Sequence, residues 1–242
     1  MSLSQEELKK LHTECLKLPE GKNYRTDDYI INLFVTVLDF QMNTDVVDAA
    51  LSFYRENRRS QLPTHETLAE IISGYPDTKK GNTKLANYFW NNNHWSRVKF
   101  LRQLLKYLGE MNVRDMSTLS RWGRSAEFQD VKGRIKTKEH SVGYAIFKWL
   151  QIRLGIDTVK PDVHVKKFVS DCIGRKSRNE ETVEAIELIA GELGIPAFKL
   201  DAAIWQYQRD KSIQKRRERI AEGQKAGEQR PEDSSNQFPP SL

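Results

Sequence analysis

The stretch from Tyr29 to Met42 most narrows what this chain can fold into. Ile30, Ile31, Leu33, Phe34, Val35, Val37, Leu38 and Phe40 leave it almost no polar side. A helix that is apolar nearly all round needs other elements packed around it. Thr26-Asp27-Asp28 gives it a start, and Asn43-Thr44-Asp45 interrupts it and caps the next helix. The surrounding layers must come from the rest of the chain, which reads as helix after helix. Ser4 opens a capping-box start whose inner face is Leu8, Leu11, Cys15 and Leu16. Val46, Val47, Ala50, Leu51 and Tyr54 share a face, as do Leu68, Ile71 and Ile72 after Pro63-Thr64. Asp77 to Thr83 is read as polar loop before a short helix, Leu85 to Trp90. Ser96 is read as the cap of an amphipathic helix carrying Val98, Leu101, Leu104, Leu105 and Leu108. Met116 to Trp122 predicts a short helix, and Phe128 to Ile135 a single turn of one. No segment alternates in the manner of a strand, and no repeat is visible, so the expected fold is all-α.

Chemistry concentrates between Ser141 and Arg175. Val142, Ala145, Ile146, Trp149, Leu150 and Leu154 form a helical stripe, which assigns Trp149 to the core, and Gly155 ends the helix. A loop from Ile156 to Pro161 then delivers Asp162 to the start of a second helix, whose inner face is Val165, Phe168, Val169, Cys172 and Ile173. Taken alone, Asp162 is an ordinary N-cap, meeting free backbone N–H groups and the positive end of the helix dipole. Asn179 to Leu193 is a further helix, and Pro196 or Lys199 to Arg209 the last buried one. Residues 212–242 are charged, then rich in Pro, Ser and Gln, and are expected to be a disordered tail whose first half continues as exposed helix.

A hairpin and helix followed by P-D-V-H-V at a helix start resembles the helix-hairpin-helix (HhH-GPD) base-excision DNA glycosylases, with their endonuclease III-like fold. Ala145 stands where that family has a small residue inside the helix after the hairpin, and Lys136-Thr-Lys-Glu-His140 is the hairpin itself. V-L-D-F-Q-M-N-T, Val37 to Thr44, is similar to a segment whose glutamine, here Gln41, fills the gap left by an extruded base. N-N-H-W-S-R-V-K-F-L, Asn92 to Leu101, is similar to the segment whose loop pushes into the opposite strand, and A-A-I-W-Q-Y-Q-R, Ala202 to Arg209, to a closing helix. The resemblance covers about residues 25–210. It implies two helical subdomains with a site in the cleft between them. One is residues 30–155, a helical barrel with hairpin 136–143. The other joins 1–29 to 156–211 and carries Asp162.

The implied chemistry is hydrolysis of an N-glycosidic bond in double-stranded DNA after a damaged or modified base leaves the stack. Asp162 is the expected catalytic carboxylate, offsetting an oxocarbenium-like sugar. Expected DNA contacts are Gln41, Asn43, Asn93, His94, Arg97, Lys136, Lys138, His140, Ser141, Gly143, His164 and Lys166. Expected base-pocket aromatics are Phe40, Tyr88, Trp90, Trp95 and Trp122, although any single Trp more often fills a core. His164 is more often a structural histidine than a catalyst, Gln41 can equally be a helix-end polar residue, and Lys215-Arg216-Arg217 is usually a solvated run. Two departures from the family matter. Its G-x-G hairpin reads Glu139-His140-Ser141 here, with Gly143 remaining; Lys136, Lys138 and the Ser141 hydroxyl are candidates to compensate. The strand-cutting members place a lysine two residues before the helical alanine, where this chain has Gly143, so no lyase activity is expected.

Composition fits a polyanion partner without requiring one. There are 39 Lys+Arg against 33 Asp+Glu, for a net charge of +6. Seven basic and five acidic residues lie from Lys211 onward, so +4 remains in the part before it. The two cysteines, Cys15 and Cys172, cannot hold the iron–sulfur cluster some glycosylases carry on four, and a disulfide between them is left open. No metal-ligand spacing, phosphate loop or Ser/His/Asp signature stands out, and no cofactor is expected. With no 18-residue apolar run and no signal peptide, the expectation is a cytoplasmic, nucleoid-associated monomer. A monofunctional repair glycosylase leads. The alternatives are a glycosylase excising a hypermodified, for example glucosylated, cytosine in phage defence, and a non-catalytic DNA-binding protein of the same fold.

Overall fold

The structure, a computed structural model, describes residues 3–39 and 42–228, and among these residues it is all-helical with no strand. Its first helix, α1 (Gln5–Cys15), opens with the capping box of Ser4 and Glu7. The long apolar helix is α2 (Tyr29–Leu38), capped by Asp28, whose carboxylate accepts the Ile31 N–H at 2.9 Å. All of its residues are buried, as an all-round apolar helix requires. It ends at Leu38, short of Met42, and Phe40 and Gln41 lie outside the described residues. Around it pack α3 (Thr44–Asn57), α4 (His65–Ser73), α5 (Lys79–Trp90), α6 (Trp95–Glu110), α7 (Met116–Ser125), α8 (Phe128–Val131) and α9 (Tyr144–Arg153). A second apolar cluster joins α1 to α10 (Val163–Ile173), α11 (Asn179–Leu193) and α12 (Ala197–Glu228).

Several boundaries depart from the sequence reading for local reasons. The supposed loop at 77–83 is mostly helix, because the Thr78 hydroxyl accepts the Gly81 N–H at 3.1 Å and starts α5 early. Ser96 does not cap α6. His94 occupies that position, and the Ser96 hydroxyl instead meets His140 Nε2 at 2.9 Å. The last helix, by contrast, runs on to Glu228 as expected for the first half of 212–242, while 229–242 lie outside the described residues.

Two close contacts fix the packing of the helices. Arg153 is buried at the end of α9, where it donates to the Asn32 carbonyl at 3.1 Å and the Thr36 hydroxyl at 2.6 Å on α2. Gly21 lies so close to α12 that a Cβ there would run into the Lys199 and Ala203 backbone, so glycine is required by contact. Cys15 and Cys172 are both free thiols in the second cluster. Burial pushes Cys15 up to about 12 and Cys172 up to about 11, which keeps them unreactive.

Candidate functional site

The segment from Gly155 to Pro161 crosses from one cluster to the other, and its fastenings fix the position of Asp162. Gly155 sits at φ +82, the left-handed conformation that ends α9. Asp157 accepts the Phe198 N–H at 3.2 Å, the Thr158 hydroxyl meets Glu187 at 2.7 Å, and Val159 is fully buried. The Lys160 N–H donates to Asp201 at 3.0 Å. The chain therefore reaches Asp162 with little freedom. The Asp162 Oδ1 accepts the His164 and Val165 N–H groups at 2.8 and 3.0 Å, capping α10. Its Oδ2 bonds to no described residue, and Asp162 lines a cleft of about 450 Å³.

Facing Asp162 across that cleft is the start of α9, where Gly143, Tyr144 and Ala145 line the opposite wall. Gly143 occupies the N-cap position with no side-chain cap, and a Cβ added there would meet nothing within 4 Å. The helix is fed by a tight turn: Lys136 bridges Ser141, the Thr137 N–H donates to the His140 carbonyl at 2.6 Å, and the Thr137 hydroxyl accepts the His140 N–H at 3.0 Å. That threonine staple closes the turn with ordinary backbone angles, so the glycines missing from 139–141 are not needed here. Lys99 pairs with Glu139 at 3.3 Å and, with the His140–Ser96 contact, docks the turn on α6. Lys136, Lys138 and Ser141 remain exposed.

His164 and Lys166 also line the cleft, as the sequence reading proposed for residues near DNA, and the His164 ring lies edge-on to Trp205 at 6.0 Å. Other expected contacts are elsewhere. Arg97 is only 7% exposed, so its guanidinium is held inside the fold. His140 is half-buried against Ser96 and Phe100. Asn93 and His94 are exposed on the α5–α6 turn, where Asn93 accepts from Asn87 at 2.7 Å. Asn43 caps α3, accepting the Asp45 N–H at 3.0 Å.

The expected aromatics are corrected most. Trp90 is 2% exposed against Phe34 and Phe89, and Trp122 is 9% exposed against Tyr107 and Phe147, so both are core. Tyr88 bonds Gln61 at 2.7 Å beneath Arg58, and Trp95 lies near Lys79, both away from the cleft. The aromatics of the cleft are Tyr144, Trp149 and Trp205. Trp149, assigned to the core by its stripe, packs against the first cluster while half-buried, and also lines both the cleft and a side chamber of about 260 Å³. Its ring meets Tyr24 edge-on at 5.1 Å and carries the Lys160 ammonium 4.6 Å from its centre.

Sequence reasoning also missed two charged residues here. Lys160 lines both spaces and is paired to Asp39 at 2.7 Å. Asp201, in the side chamber, is 4% exposed; burial first, and then the negative charge of Asp162, push its carboxyl well above the usual range. Two roomier hollows of about 530 Å³ lie elsewhere, one among α1, α10 and α12 and one beneath α2 and α4, and Asp162 lines neither. Among the described residues no group of three potential ligands could hold a metal ion. No helix there is long and apolar enough to cross a membrane.

Fold and site together define an all-helical protein with a carboxylate held at a helix N-terminus and turned toward a cleft. Residues 25–209 match the family model described as Domain of unknown function (DUF8548), and the chain belongs to that family. No curated protein and no solved structure matches the chain.

Proposed function

We propose that the chain is a monofunctional DNA N-glycosylase of the helix-hairpin-helix kind, acting on a base flipped from duplex DNA into the Asp162 cleft. The observation that carries this reading is the division of labour within one carboxylate. Asp162 Oδ1 is tied to two backbone N–H groups, Oδ2 bonds to no described residue, and the residue lines a cleft that also takes in the start of a helix just after a lysine-bearing turn. In this reading Lys136 and Lys138 hold a backbone phosphate beside the uncapped N-terminus of α9. The extruded nucleotide then lies between Gly143 and Asp162. As the C–N bond breaks, the sugar becomes cationic, and the fixed carboxylate offsets that charge without having to reorient. Water adds to the anomeric carbon and loses a proton, the departing base nitrogen takes one up from solvent, and the base leaves free.

Lys160 also lines the cleft, but its Nζ is engaged by Asp39 at 2.7 Å, and the position that carries the attacking lysine in strand-cutting glycosylases is Gly143 here. The strand should therefore stay intact at the abasic site. The experiment is a panel of duplexes carrying damaged bases and bulky modified cytosines, scored for cleavage with and without alkali. Alkali-dependent cleavage of one substrate supports the reading. Duplex binding with no excision on any of them favours the non-catalytic alternative, and failure to bind DNA overturns both.

A further inference from the structure

The side chamber has a built interior that the reaction at Asp162 does not use. Its inner wall is Asp201, and Trp149 and Trp205 stand where it joins the cleft. The Asp201 carboxyl has its Oδ1 fixed by the Lys160 N–H at 3.0 Å, and its Oδ2 bonds to no described residue. A side chain 4% exposed that lines a chamber and holds a single hydrogen bond has capacity for another. Position also matters: the chamber shares Asp39, Trp149, Lys160 and Trp205 with the cleft, while Asp162 lines only the cleft and Asp201 only the chamber, so a base whose sugar lies at Asp162 can extend toward Asp201.

We infer that the side chamber is the subsite that reads the base, and that Asp201 reads it as a neutral acid, donating a hydrogen bond from Oδ2 to a carbonyl oxygen or unprotonated ring nitrogen. This rests on the glycosylase reading. Trp149 and Trp205 supply flat faces at the entrance, and stacking is tolerant of base type, so discrimination falls to Asp201. A neutral acid rejects a base that presents only a donor, because its own hydroxyl would then lose its partner. The surroundings favour that state. Asp162 lies on the segment packed against it, Asp39 comes from the end of α2 and Asp48 from α3. Tyr24 and Lys22 come from the chain before α2, Lys160 from the α9–α10 segment, and Arg209 from α12 itself. Lys160 opposes the shift, but burial and the Asp162 charge outweigh it.

The test uses the full chain without DNA, titrated with free uracil, cytosine, adenine, guanine and hypoxanthine and read by tryptophan fluorescence. Carbon-13 spectra of the aspartate carboxyls are recorded alongside. At least one acceptor-bearing base should bind, with Asp201 protonated at neutral pH. Affinity should fall on the order of tenfold as pH rises through its ionisation, the scale of one hydrogen bond. Asp201→Asn keeps an acceptor for Lys160 and a donor toward the chamber, so it should restore binding relative to Asp201→Leu and remove the pH dependence. It leaves every other facing group in place, so a surviving pH dependence would point to one of them. No binding by any base, an ionised Asp201 at neutral pH, or a pH profile unchanged by Asp201→Asn overturns the inference. Its failure is separable from that of the glycosylase reading: base binding with no excision sinks the latter, and excision with no response at Asp201 sinks only the former.

Discussion

Asp162 is asked to do two things, and substitution can take them apart. As a cap, it accepts two backbone hydrogen bonds through one oxygen. Asparagine offers an oxygen in the same place, so Asp162→Asn keeps both bonds. It loses the attraction of a full charge for the helix N-terminus, about 0.3–1 kcal/mol and less where salt screens it. The net change should be about 0.5 kcal/mol. Asp162→Ala loses the cap itself, about 1 kcal/mol, which in a chain of this size lowers the melting temperature by about 2–4 °C. Catalysis should order the variants differently. Both remove the negative charge that offsets the cationic sugar, so both should lower single-turnover excision by at least about 10²–10³-fold, the scale of one preorganised electrostatic group. Calorimetry gives stability, fluorescence anisotropy gives duplex affinity, and alkali-developed gels give excision. Asparagine should match wild type on the first two and alanine on the third. An Asp162→Asn protein that excises normally, or that melts as low as the alanine variant, would refute the division of labour.

Gly143→Lys should fold, since a side chain there meets open space, and should place an amine on the cleft wall; borohydride trapping on the true substrate should then yield a protein–DNA crosslink absent from wild type. Removing exposed Lys138 should weaken duplex binding evenly across sequences and shrink the log–log salt slope by about one, read by anisotropy at several salt concentrations. Burial holds the histidine pKa values of His65 and His140 below the usual value, so protonation favours the unfolded chain. Stability should be full above about pH 6.5 and fall as pH drops below it, and denaturant midpoints should show a shallower acid slope in His65→Leu, though from a lower plateau.

The helical class and the position of Asp162 were legible because both rest on local signals. Apolar spacing near 3.6 marks a helix wherever it packs, and the caps at Ser4, Asp28, Asn43, Thr64 and Asp162 are residue types that satisfy N–H groups by themselves. The aromatics were not legible, because periodicity reports that a face is covered and not by what. Helix α9 lies between the two clusters, so its apolar stripe is wider than one core needs. Ile146 and Leu150 enter the core, while Trp149, on the flank of the same stripe, lines a cleft. Trp90 and Trp122 sit beside polar loops in sequence, yet their bulk fills the space around α2 and α9.

Asp201 did leave a trace in the sequence. It stands between Leu200 and Ala202, in a run continued by Ala203 and Ile204, all of them buried. A carboxylate on such a face must find a cation, find hydrogen bonds, or give up its charge. Lys160 approaches with its backbone N–H, but its ammonium is committed to Asp39, so the first route is only partly open. The second supplies one bond to one oxygen. The third remains, in keeping with the direction in which burial moves this carboxyl, well above its usual range. A lone acid in an apolar helix is therefore a residue to examine, because it already raises the question of where its charge can go.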